Sequence, residues 1–373
     1  MIWFASRAGS PAPRGAVSYA GGITKSHTRL TNSRVCGIIL KSMKSAIRTG
    51  TIPVAERKYN IMIYEKIYLR QLFPGLCERT VDELAKERHE HSARQGMLDR
   101  PWAEYSEPSL TTYIPDNSVE VDPARRRPAI IVCPGGGYNM LSFREAEPIA
   151  LEFMARGYAA FVLNYEVAPV RYPAALLQLS AAVAVVRRRA DEFGVDPDAI
   201  AVTGYSAGGH LTASLGCFWN KPFIAEKLGL APGENKPNAM VLGYPLIIGD
   251  GPFANKGSID NLLGPDASHE EREKMSLEKC VTSETAPAFI WHTFFDQAVA
   301  VENSLEFAAA LRRENIKFEL HIFEDGQHGL SICNAEVYHG EELKRLDETI
   351  IHARRWVDLS DEWMKVLFDI KDR

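Results

Sequence analysis

Six short apolar runs recur from residue 128 onward, and their regular alternation with helical patterns constrains the fold more than any other feature. The runs are PAIIVCP (128–134), AAFVLNYEV (159–167), DAIAVTGYS (198–206), AMVLGYPLI (239–247), AFIWHTFFD (288–296) and FELHIFEDG (318–326). They are rich in Val, Ile and Phe and are bounded by Gly, Pro or Asp, which is typical of buried strands. Strands that alternate with helices predict an α/β fold with a mostly parallel central sheet and helices on both faces.

Three helices are predicted from apolar residues that recur at three- and four-residue spacing. The first covers 173–193 and is capped by Gly194, the second covers 301–314, and the third lies near 341–358. The apolar positions, in the same order, are Leu176, Leu179, Val183 and Val186; Val301, Leu305, Ala308 and Leu311; and Leu343, Leu346, Ile350, Ala353 and Val357.

The remaining segments are less regular. ERTVDELAKERHEH (78–91) could form a solvated helix, and SLTTYIP (109–115) could form an antiparallel edge strand. The stretch 249–287 is long, polar and rich in Gly and Pro, and a connection of that length inside a compact domain is usually a lid or a binding loop. We therefore predict a single domain over 62–373, with 249–287 as a lid segment.

Residues 1–61 are set apart by their composition. Residues 1–55 contain eight Lys or Arg and no Asp or Glu. This Arg- and Ser-rich composition resembles a transit peptide, but we favour an upstream start codon with Met62 as the true first residue. The segment lacks the apolar stretch of a secretory signal, so we expect a cytoplasmic protein. We predict that 1–61 is a disordered or non-native extension.

The composition argues against several classes of function. The formal net charge of −5 gives no electrostatic basis for binding nucleic acid. The sequence contains no run of about 18 apolar residues, so no membrane span is predicted. The six cysteines are scattered without zinc-site spacing, and Cys133 and Cys217 lie in apolar runs as buried thiols do. We predict neither a metal site nor a cofactor.

One serine lies between two glycines directly after a predicted strand. In VTGYSAGGHL (202–211), the residues that follow Ser206 have a helical pattern. A nucleophilic serine in a G-x-S-x-G motif requires this context, because Gly204 and Gly208 let the strand and the helix approach closely. The N–H group of Ala207 would open the helix and could stabilise an oxyanion. The ordinary alternative for such a serine is a helix N-cap.

Two later residues at strand ends complete a nucleophilic set. Asp296 ends the fifth run and His328 follows the sixth, in FEDGQHGL. Parallel strands place their carboxyl ends at one edge of the sheet, so both side chains are expected beside Ser206. The chain order predicts Ser206 as nucleophile, His328 as general base and acid, and Asp296 as the carboxylate that orients the imidazole.

Other residues could fill these catalytic roles, and the predicted residues could have other roles. Asp296 alone could cap the following helix, and Asp325 is a rival acid that lies too close in sequence to His328 to orient its ring well. His210 is interpreted as a helix residue that packs under the sheet, and His292 and His321 as core or sheet residues.

A glycine run follows the first strand. In CPGGGY (133–138), bare backbone N–H groups could face a ligand, and we predict Gly136 and Gly137 as oxyanion donors together with Ala207. A flexible loop is the alternative; a phosphate-binding loop is excluded because no G-K-[ST] follows. Tyr138 and Tyr205 adjoin the motifs and could contact substrate.

These motifs together resemble those of α/β-hydrolase fold esterases, of the group that includes acetyl-xylan-esterase-like and hormone-sensitive-lipase-like enzymes. The resemblance runs from about residue 110 to 358 and rests on CPGGGY, GYSAGGHL, NKGSIDNLLG, HTFFDQAVAVENS and GQHGL. It implies the same triad, the same oxyanion donors, no cofactor, and small acyl esters as substrates, often acetyl groups on sugars. Lipase-like relatives begin the glycine motif with His, whereas Pro134 stands here, which favours the acetyl-esterase-like branch.

The leading hypothesis is therefore a serine esterase for short acyl esters, with an acetylated saccharide as one such substrate. A serine peptidase or amidase on the same fold is an alternative, although no repeat suggests a propeller that would screen peptides. A non-catalytic binding protein on a hydrolase scaffold is a second alternative, because a fold does not fix a function.

Overall fold

The computed structural model describes residues 62–344, 346 and 348–370; the predictions made for residues 1–61 lie outside them. The strands are β1 (Met62–Ile63), β2 (Lys66–Tyr68), β3 (Ser109–Pro115), β4 (Arg127–Cys133), β5 (Ala159–Asn164), β6 (Val195–Tyr205), β7 (Ala239–Gly243), β8 (Ala288–Thr293) and β9 (Phe318–Phe323). The helices are α1 (Leu69–Leu72), α2 (Val81–Arg94), α3 (Glu147–Ala155), α4 (Ala174–Arg188), α5 (Ala190–Phe193), α6 (Ala207–Phe218), α7 (Pro222–Leu228), α8 (Lys256–Leu263), α9 (His269–Glu273), α10 (Glu302–Arg313), α11 (Gly340–Leu343), α12 (Glu348–His352) and α13 (Trp356–Leu367).

The strands form one sheet in the order β1-β3-β5-β4-β6-β7-β8-β9, with β2 also paired to β3. All pairs from β5 to β9 along this order are parallel, and β3 is antiparallel to β5. All six predicted parallel strands are present. The prediction of β3 as an edge strand is wrong in one respect: β1 and β2 pair with its outer side, so β3 lies inside the sheet.

Apolar side chains cover both faces of the sheet, as the continuous apolar runs predict. Along β4, Ile131 belongs to one buried cluster, whereas Ile130 and Val132 belong to the other. The first cluster contains most of α4 and the second contains Trp356 of α13. Because alternate residues of a strand point to opposite faces, a strand buried on both sides needs no polar alternation. Cys133 and Cys217 are buried free thiols, as predicted.

Two of the three predicted helices are present with small changes. The predicted helix 173–193 is α4 followed by the short α5, and Gly194 ends it in the left-handed conformation at φ 64°. The predicted helix 301–314 is α10, but Leu305 is 44% exposed whereas Phe307 is fully buried. Val301, Ala308 and Leu311 are buried as predicted, and Phe307 takes the core position that the spacing gave to Leu305.

The third predicted helix, near 341–358, is wrong. This stretch contains two short helices, α11 and α12, a turn of 3₁₀ helix at Ala353–Arg355 and only the start of α13. The long helix is α13, and it begins where the Trp356 ring stacks on Trp291 of β8 at 5.1 Å between centroids. Tertiary packing of this tryptophan thus places the final helix further along the chain than its apolar spacing suggests.

The two less regular segments also have defined secondary structure. The 249–287 segment, predicted as a lid, contains α8, α9 and a 3₁₀ turn. Helix α2 begins with a capping box at Thr80 and Glu83, but it is not simply solvated, because Leu84, Arg88 and His91 are buried. Among the described helices, none is both long enough and apolar enough to span a bilayer.

Candidate active site

Ser206 occupies a strained turn between β6 and α6. Its backbone has φ 54° and ψ −119°, a combination that residues other than glycine rarely adopt. A Cβ atom at Gly204 would lie 2.1 Å from the Gly208 carbonyl oxygen, and one at Gly208 would lie 2.1 Å from the Cys133 carbonyl oxygen. Both glycines are therefore required sterically, and the turn presents the serine side chain at the carboxyl edge of the sheet.

Ser206, His328 and Asp296 form a continuous chain of hydrogen bonds. The Ser206 hydroxyl oxygen lies 2.8 Å from Nε2 of His328, and Nδ1 of the same ring lies 2.6 Å from Oδ2 of Asp296. The three residues follow β6, β9 and β8, so strands far apart in sequence bring them together. This is the geometry in which an imidazole can take a proton from the serine hydroxyl while a carboxylate fixes its tautomer.

Asp296 is held as an acceptor from several directions. Its Oδ1 accepts hydrogen bonds from the N–H groups of Ala298 and Val299 at 2.8 and 2.9 Å, and Nε2 of His292 lies 3.3 Å from Oδ2. Burial acts to raise the pKa of the Asp296 carboxyl, but the hydrogen bonds from His292 and His328 outweigh it and hold the pKa well below its usual range. Asp296 is therefore an anion at neutral pH.

The rival residues lie elsewhere. Asp325 accepts a hydrogen bond from the N–H group of Gly326 in its own turn, and among the described residues no contact of Asp325 with His328 is found. His321 pairs with Glu319 on β9. His210 is fully buried in α6, where it contacts the Tyr138 hydroxyl and the Met275 carbonyl oxygen.

The glycine loop after β4 offers free backbone donors beside Ser206. Gly136 and Gly137 have φ values of 126° and 62°, which only glycine adopts without strain. Within the described part of the chain, their N–H groups donate to no protein acceptor. Ala207 is the first residue of α6, so its N–H group has no partner within the helix.

The carbonyl groups of the same loop are tied down. Those of Gly135 and Gly136 accept from N–H groups within the loop, and the Tyr138 carbonyl accepts from the N–H group of Ala168 at 2.8 Å. The Gly137 carbonyl accepts from the Asn261 amide at 2.9 Å, and the Asn139 carbonyl accepts from the Arg88 guanidinium at 2.9 Å. Thus α2 and α8 clamp the loop from outside and leave the N–H groups of Gly136 and Gly137 available.

Tyr138 and Tyr205 do not have the role predicted for them. Tyr138 is 2% exposed, and its hydroxyl contacts Nδ1 of His210 at 2.9 Å. Tyr205 is fully buried, with its hydroxyl 3.0 Å from Thr203 and its ring against Tyr244 and Trp356. Both side chains are packed inside the fold and do not line the candidate site. Residues that are neighbours in sequence need not point toward the same site.

Four residues that sequence reasoning missed surround the predicted set. His292 contacts Asp296, Asn261 holds Gly137, Glu145 contacts Gly135, and the Tyr244 ring packs against the His328 ring at 5.1 Å. Their roles depend on contacts across the fold. Asn261 lies in the motif NKGSIDNLLG and His292 begins the motif HTFFDQAVAVENS, both already quoted for the resemblance. In the part of the chain that the structure describes, no group of three or more His, Cys, Asp or Glu side chains could hold a metal ion.

The chain is similar to known proteins. The BD-FAE family model matches residues 113–311. Endo-1,4-beta-xylanase B of Butyrivibrio fibrisolvens is 36% identical over 62% of this chain and 36% of its own length. The acetylxylan esterase of Xylanibacter ruminicola is 28% identical over 64% of this chain and 46% of its own length. The matched region thus spans about a third to a half of these two curated relatives.

Solved structures give the same result. The acetyl ester-xyloside bifunctional hydrolase from Caldicellulosiruptor lactoaceticus has 35% identity and a TM-score of 0.60, covering 72% of this chain and 91% of that one. The carboxylesterase Cest-2923 from Lactobacillus plantarum has 29% identity and a TM-score of 0.62, covering 71% and 94%. The resemblance inferred from the sequence motifs and the α/β-hydrolase fold are both confirmed. Since the family model matches more than half of its residues, the chain belongs to the BD-FAE family, among the α/β-hydrolase fold esterases that resemble acetylxylan esterases.

Proposed function

We propose that this protein is a carboxylic ester hydrolase that cleaves short acyl esters through an acyl-enzyme on Ser206. One observation carries the proposal: the Ser206 hydroxyl, the His328 ring and the Asp296 carboxylate form hydrogen bonds of 2.8 and 2.6 Å in sequence. Nucleophile, base and orienting acid are then already within hydrogen-bonding reach before substrate binds.

In the first half of the proposed reaction, Ser206 Oγ adds to the acyl carbon and its proton passes to Nε2 of His328. The carbonyl oxygen becomes an oxyanion, toward which the N–H groups of Gly136, Gly137 and Ala207 would donate. Each such donor lowers the barrier by about 3–4 kcal/mol, because it is fixed before charge develops. The Asp296 carboxylate stabilises the imidazolium without taking its proton.

In the second half, the tetrahedral adduct collapses and the C–O bond to the alcohol breaks. His328 gives its proton to the departing alcohol oxygen, which leaves an ester between the acyl group and Ser206. Water then repeats the sequence: His328 takes its proton, the hydroxyl adds to the acyl carbon, and Ser206 leaves with the proton returned to it. No cofactor is needed at any step.

The substrate proposed is an ester of a small acid, acetate above all, and an acetylated saccharide is the class that the relatives support. Two of the similar proteins have names that refer to acetyl esters, namely the acetylxylan esterase and the acetyl ester-xyloside hydrolase. Pro134 before the glycine run also supports this branch over lipase-like relatives.

The test is a panel of p-nitrophenyl esters from acetate to octanoate, with p-nitroacetanilide as the amide counterpart and acetylated xylo-oligosaccharides as the sugar esters. The proposal predicts that kcat/KM is highest for acetate and falls with chain length, that acetate is released from the oligosaccharides, and that the amide is cleaved at least about 100-fold more slowly. Faster cleavage of the amide than of the ester would overturn the proposal in favour of an amidase.

A further inference from the structure

Glu145 is a buried carboxylate that the triad does not include. It ends the 3₁₀ turn at Phe143–Glu145, directly after the glycine loop, and it is only 4% exposed. Glutamate is almost never fully buried unless it is paired. Among the described residues, however, no Lys, Arg or His lies within ion-pair distance of Glu145, so its negative charge is balanced by hydrogen bonds alone.

Both carboxylate oxygens of Glu145 accept hydrogen bonds. Oε2 accepts from the N–H group of Gly135 at 2.8 Å, and Oε1 accepts from the Tyr244 hydroxyl at 2.7 Å. The Tyr244 oxygen itself accepts from the N–H group of Ser331 at 3.0 Å, so its own proton is free to point at Glu145. With a donor on each oxygen, the side chain is used as a carboxylate.

These bonds connect Glu145 to both halves of the candidate site. A Cβ atom at Gly135 would lie 2.7 Å from Oε2 of Glu145 and 3.1 Å from Cβ of Ser206, so this peptide is sandwiched between the carboxylate and the nucleophile. On the other side, the Tyr244 ring packs edge-on against the His328 ring, and Ser331 lies three residues beyond that histidine. One carboxylate thus links the glycine loop after β4 to the loop that contains His328.

Several charged and titratable groups surround His328, and Glu145 is one of those that can act on the charge of its ring. Arg144 lies on the outer side, with its guanidinium 3.6 Å from the position of a Cβ on Gly329, and the Tyr338 hydroxyl donates to the Gly329 carbonyl at 3.2 Å. The charged or titratable groups around the ring and its loop are Asp296, Tyr244, Glu145, Arg144 and Tyr338. Two further groups contact these: His292 lies against Asp296, and the Glu342 carboxylate lies 3.9 Å from the Arg144 guanidinium.

We propose that Glu145 is a positioning residue of the active site. Its carboxylate fixes the glycine loop after β4 through Gly135 and fixes the loop that contains His328 through Tyr244. Its charge also stabilises the His328 imidazolium as that cation forms. This inference rests on the proposed function, because it assumes that Ser206 and His328 carry the reaction. The charge of Glu145 and its two accepted hydrogen bonds act through other groups.

The first experiment compares Glu145→Gln, Glu145→Ala and Tyr244→Phe in p-nitrophenyl acetate hydrolysis. Asp361→Asn is the matched control, because Asp361 is 7% exposed and accepts from the buried Tyr158 hydroxyl at 3.0 Å on α13, away from the loops. Gln can keep the bond from Gly135 and can contact Tyr244 only by donating to it, so it removes the charge and reverses one hydrogen bond while preserving the shape. We expect kcat to fall about 10-fold in Glu145→Gln and about 100-fold in Glu145→Ala, with KM within threefold, as for lost oxyanion preorganisation.

The pH profile separates charge from shape. If the charge supports the imidazolium, the acid limb of kcat/KM moves to lower pH by about 0.5 unit or more in Glu145→Gln and stays in place in Asp361→Asn. A fall in kcat with an unmoved acid limb would retain the positioning role and overturn the electrostatic one. Values of kcat for the Glu145 variants equal to that of Asp361→Asn would overturn the proposal.

A second experiment does not depend on ester turnover. Hydrogen–deuterium exchange in peptides covering 134–143 and 327–332 should be faster in Glu145→Ala than in the wild type, but not in Asp361→Asn. Labelling of Ser206 by diethyl p-nitrophenyl phosphate should be about 100-fold slower in Glu145→Ala than in the wild type. If the wild type cleaves no ester yet Ser206 is labelled, the proposed function fails while Glu145 is still tested by these rates. Unchanged exchange and labelling in Glu145→Ala would overturn the positioning role.

Discussion

At the scale of single residues, the site depends on which oxygen of Asp296 faces which donor. Oδ1 is occupied by the backbone N–H groups of Ala298 and Val299, and Oδ2 is shared by His328 and His292. The backbone bonds fix the carboxylate plane, and the two rings supply the positive edge that keeps it ionised. His328 is thereby held in the tautomer that can accept a proton at Nε2.

We therefore predict that Asp296→Asn lowers kcat for p-nitrophenyl acetate by about 10⁴-fold, the loss that this change causes in serine proteases with the same arrangement. The asparagine amide keeps the shape but favours the wrong imidazole tautomer. Steady-state kinetics measure the loss, and Asp325→Asn is the control, expected to stay within twofold of the wild type. A larger loss in Asp325→Asn than in Asp296→Asn would mean that the wrong carboxylate has been assigned.

Residue types at strand ends could be predicted because the fold brings those ends together. Ser206, Asp296 and His328 each lie at the end of an apolar run or just after one, so the sequence alone predicts that they lie at one edge of the sheet. His292 and Glu145 could not be recognised, since one lies within a strand and the other in an ordinary acidic stretch, and only tertiary contacts give them a role. Tyr138 and Tyr205 were predicted wrongly because adjacency to a motif says nothing of side-chain direction.

At the scale of elements, the glycine loop owes its conformation to segments on either side of it. Helix α2 contributes Arg88, α8 contributes Asn261, and the loop after β5 contributes the Ala168 N–H group. These donors bind the carbonyl groups of Gly137, Tyr138 and Asn139 and so fix the loop that also contains the N–H groups of Gly136 and Gly137. The folded segment 249–287 thus acts on the site as a support.

Asn261→Ala removes one of these anchors. We predict a 5- to 20-fold fall in kcat with KM nearly unchanged, because the peptide after Gly137 loses its anchor and the Gly137 residue, with its N–H group, is held less firmly while substrate binding is retained (about 1–2 kcal/mol, as for one hydrogen bond). The matched control is Lys256→Ala, an exposed position on the same helix. Equal kcat values for Asn261→Ala and the wild type would show that α8 does not hold the loop in solution.

Strands were easier to predict than helices in this chain for a physical reason. Parallel strands buried on both faces are continuous apolar runs with abrupt polar ends, and all six match β4–β9. Helix α10 has one buried stripe that includes Ala308 and Leu311 as predicted, but its core position one turn earlier belongs to Phe307 and not to Leu305. The end of the chain follows the docking of Trp356 on Trp291, which local spacing does not encode.

At the scale of the whole molecule, one buried histidine joins three parts of the fold. His210 on α6 accepts from the Tyr138 hydroxyl through Nδ1 and donates through Nε2 to the Met275 carbonyl. The neutral ring satisfies both partners, and a second ring proton would remove the acceptor that Tyr138 needs. Burial lowers the pKa of His210 to about 4, against the partial opposing effect of its bond to Met275.

This histidine makes global stability depend on pH. Between pH 6.5 and pH 4 the unfolded chain takes up the proton and the folded chain does not, so the free energy of unfolding falls as pH falls, by about 2 kcal/mol from pH 7 to pH 5. Urea unfolding at the two pH values measures the change, and His210→Gln should lose about that much of the pH dependence. An identical slope in the wild type and in His210→Gln would contradict the assignment.

The most direct test of the central claim is p-nitrophenyl acetate hydrolysis by the wild type and by Ser206→Ala, each shown to be folded by its thermal unfolding transition. The account predicts turnover in the wild type, a mass increase of one acetyl group on Ser206 in rapidly quenched enzyme, and a variant whose kcat is lower by about 10⁵-fold or more. A folded Ser206→Ala variant that hydrolyses the ester at the wild-type rate would contradict it.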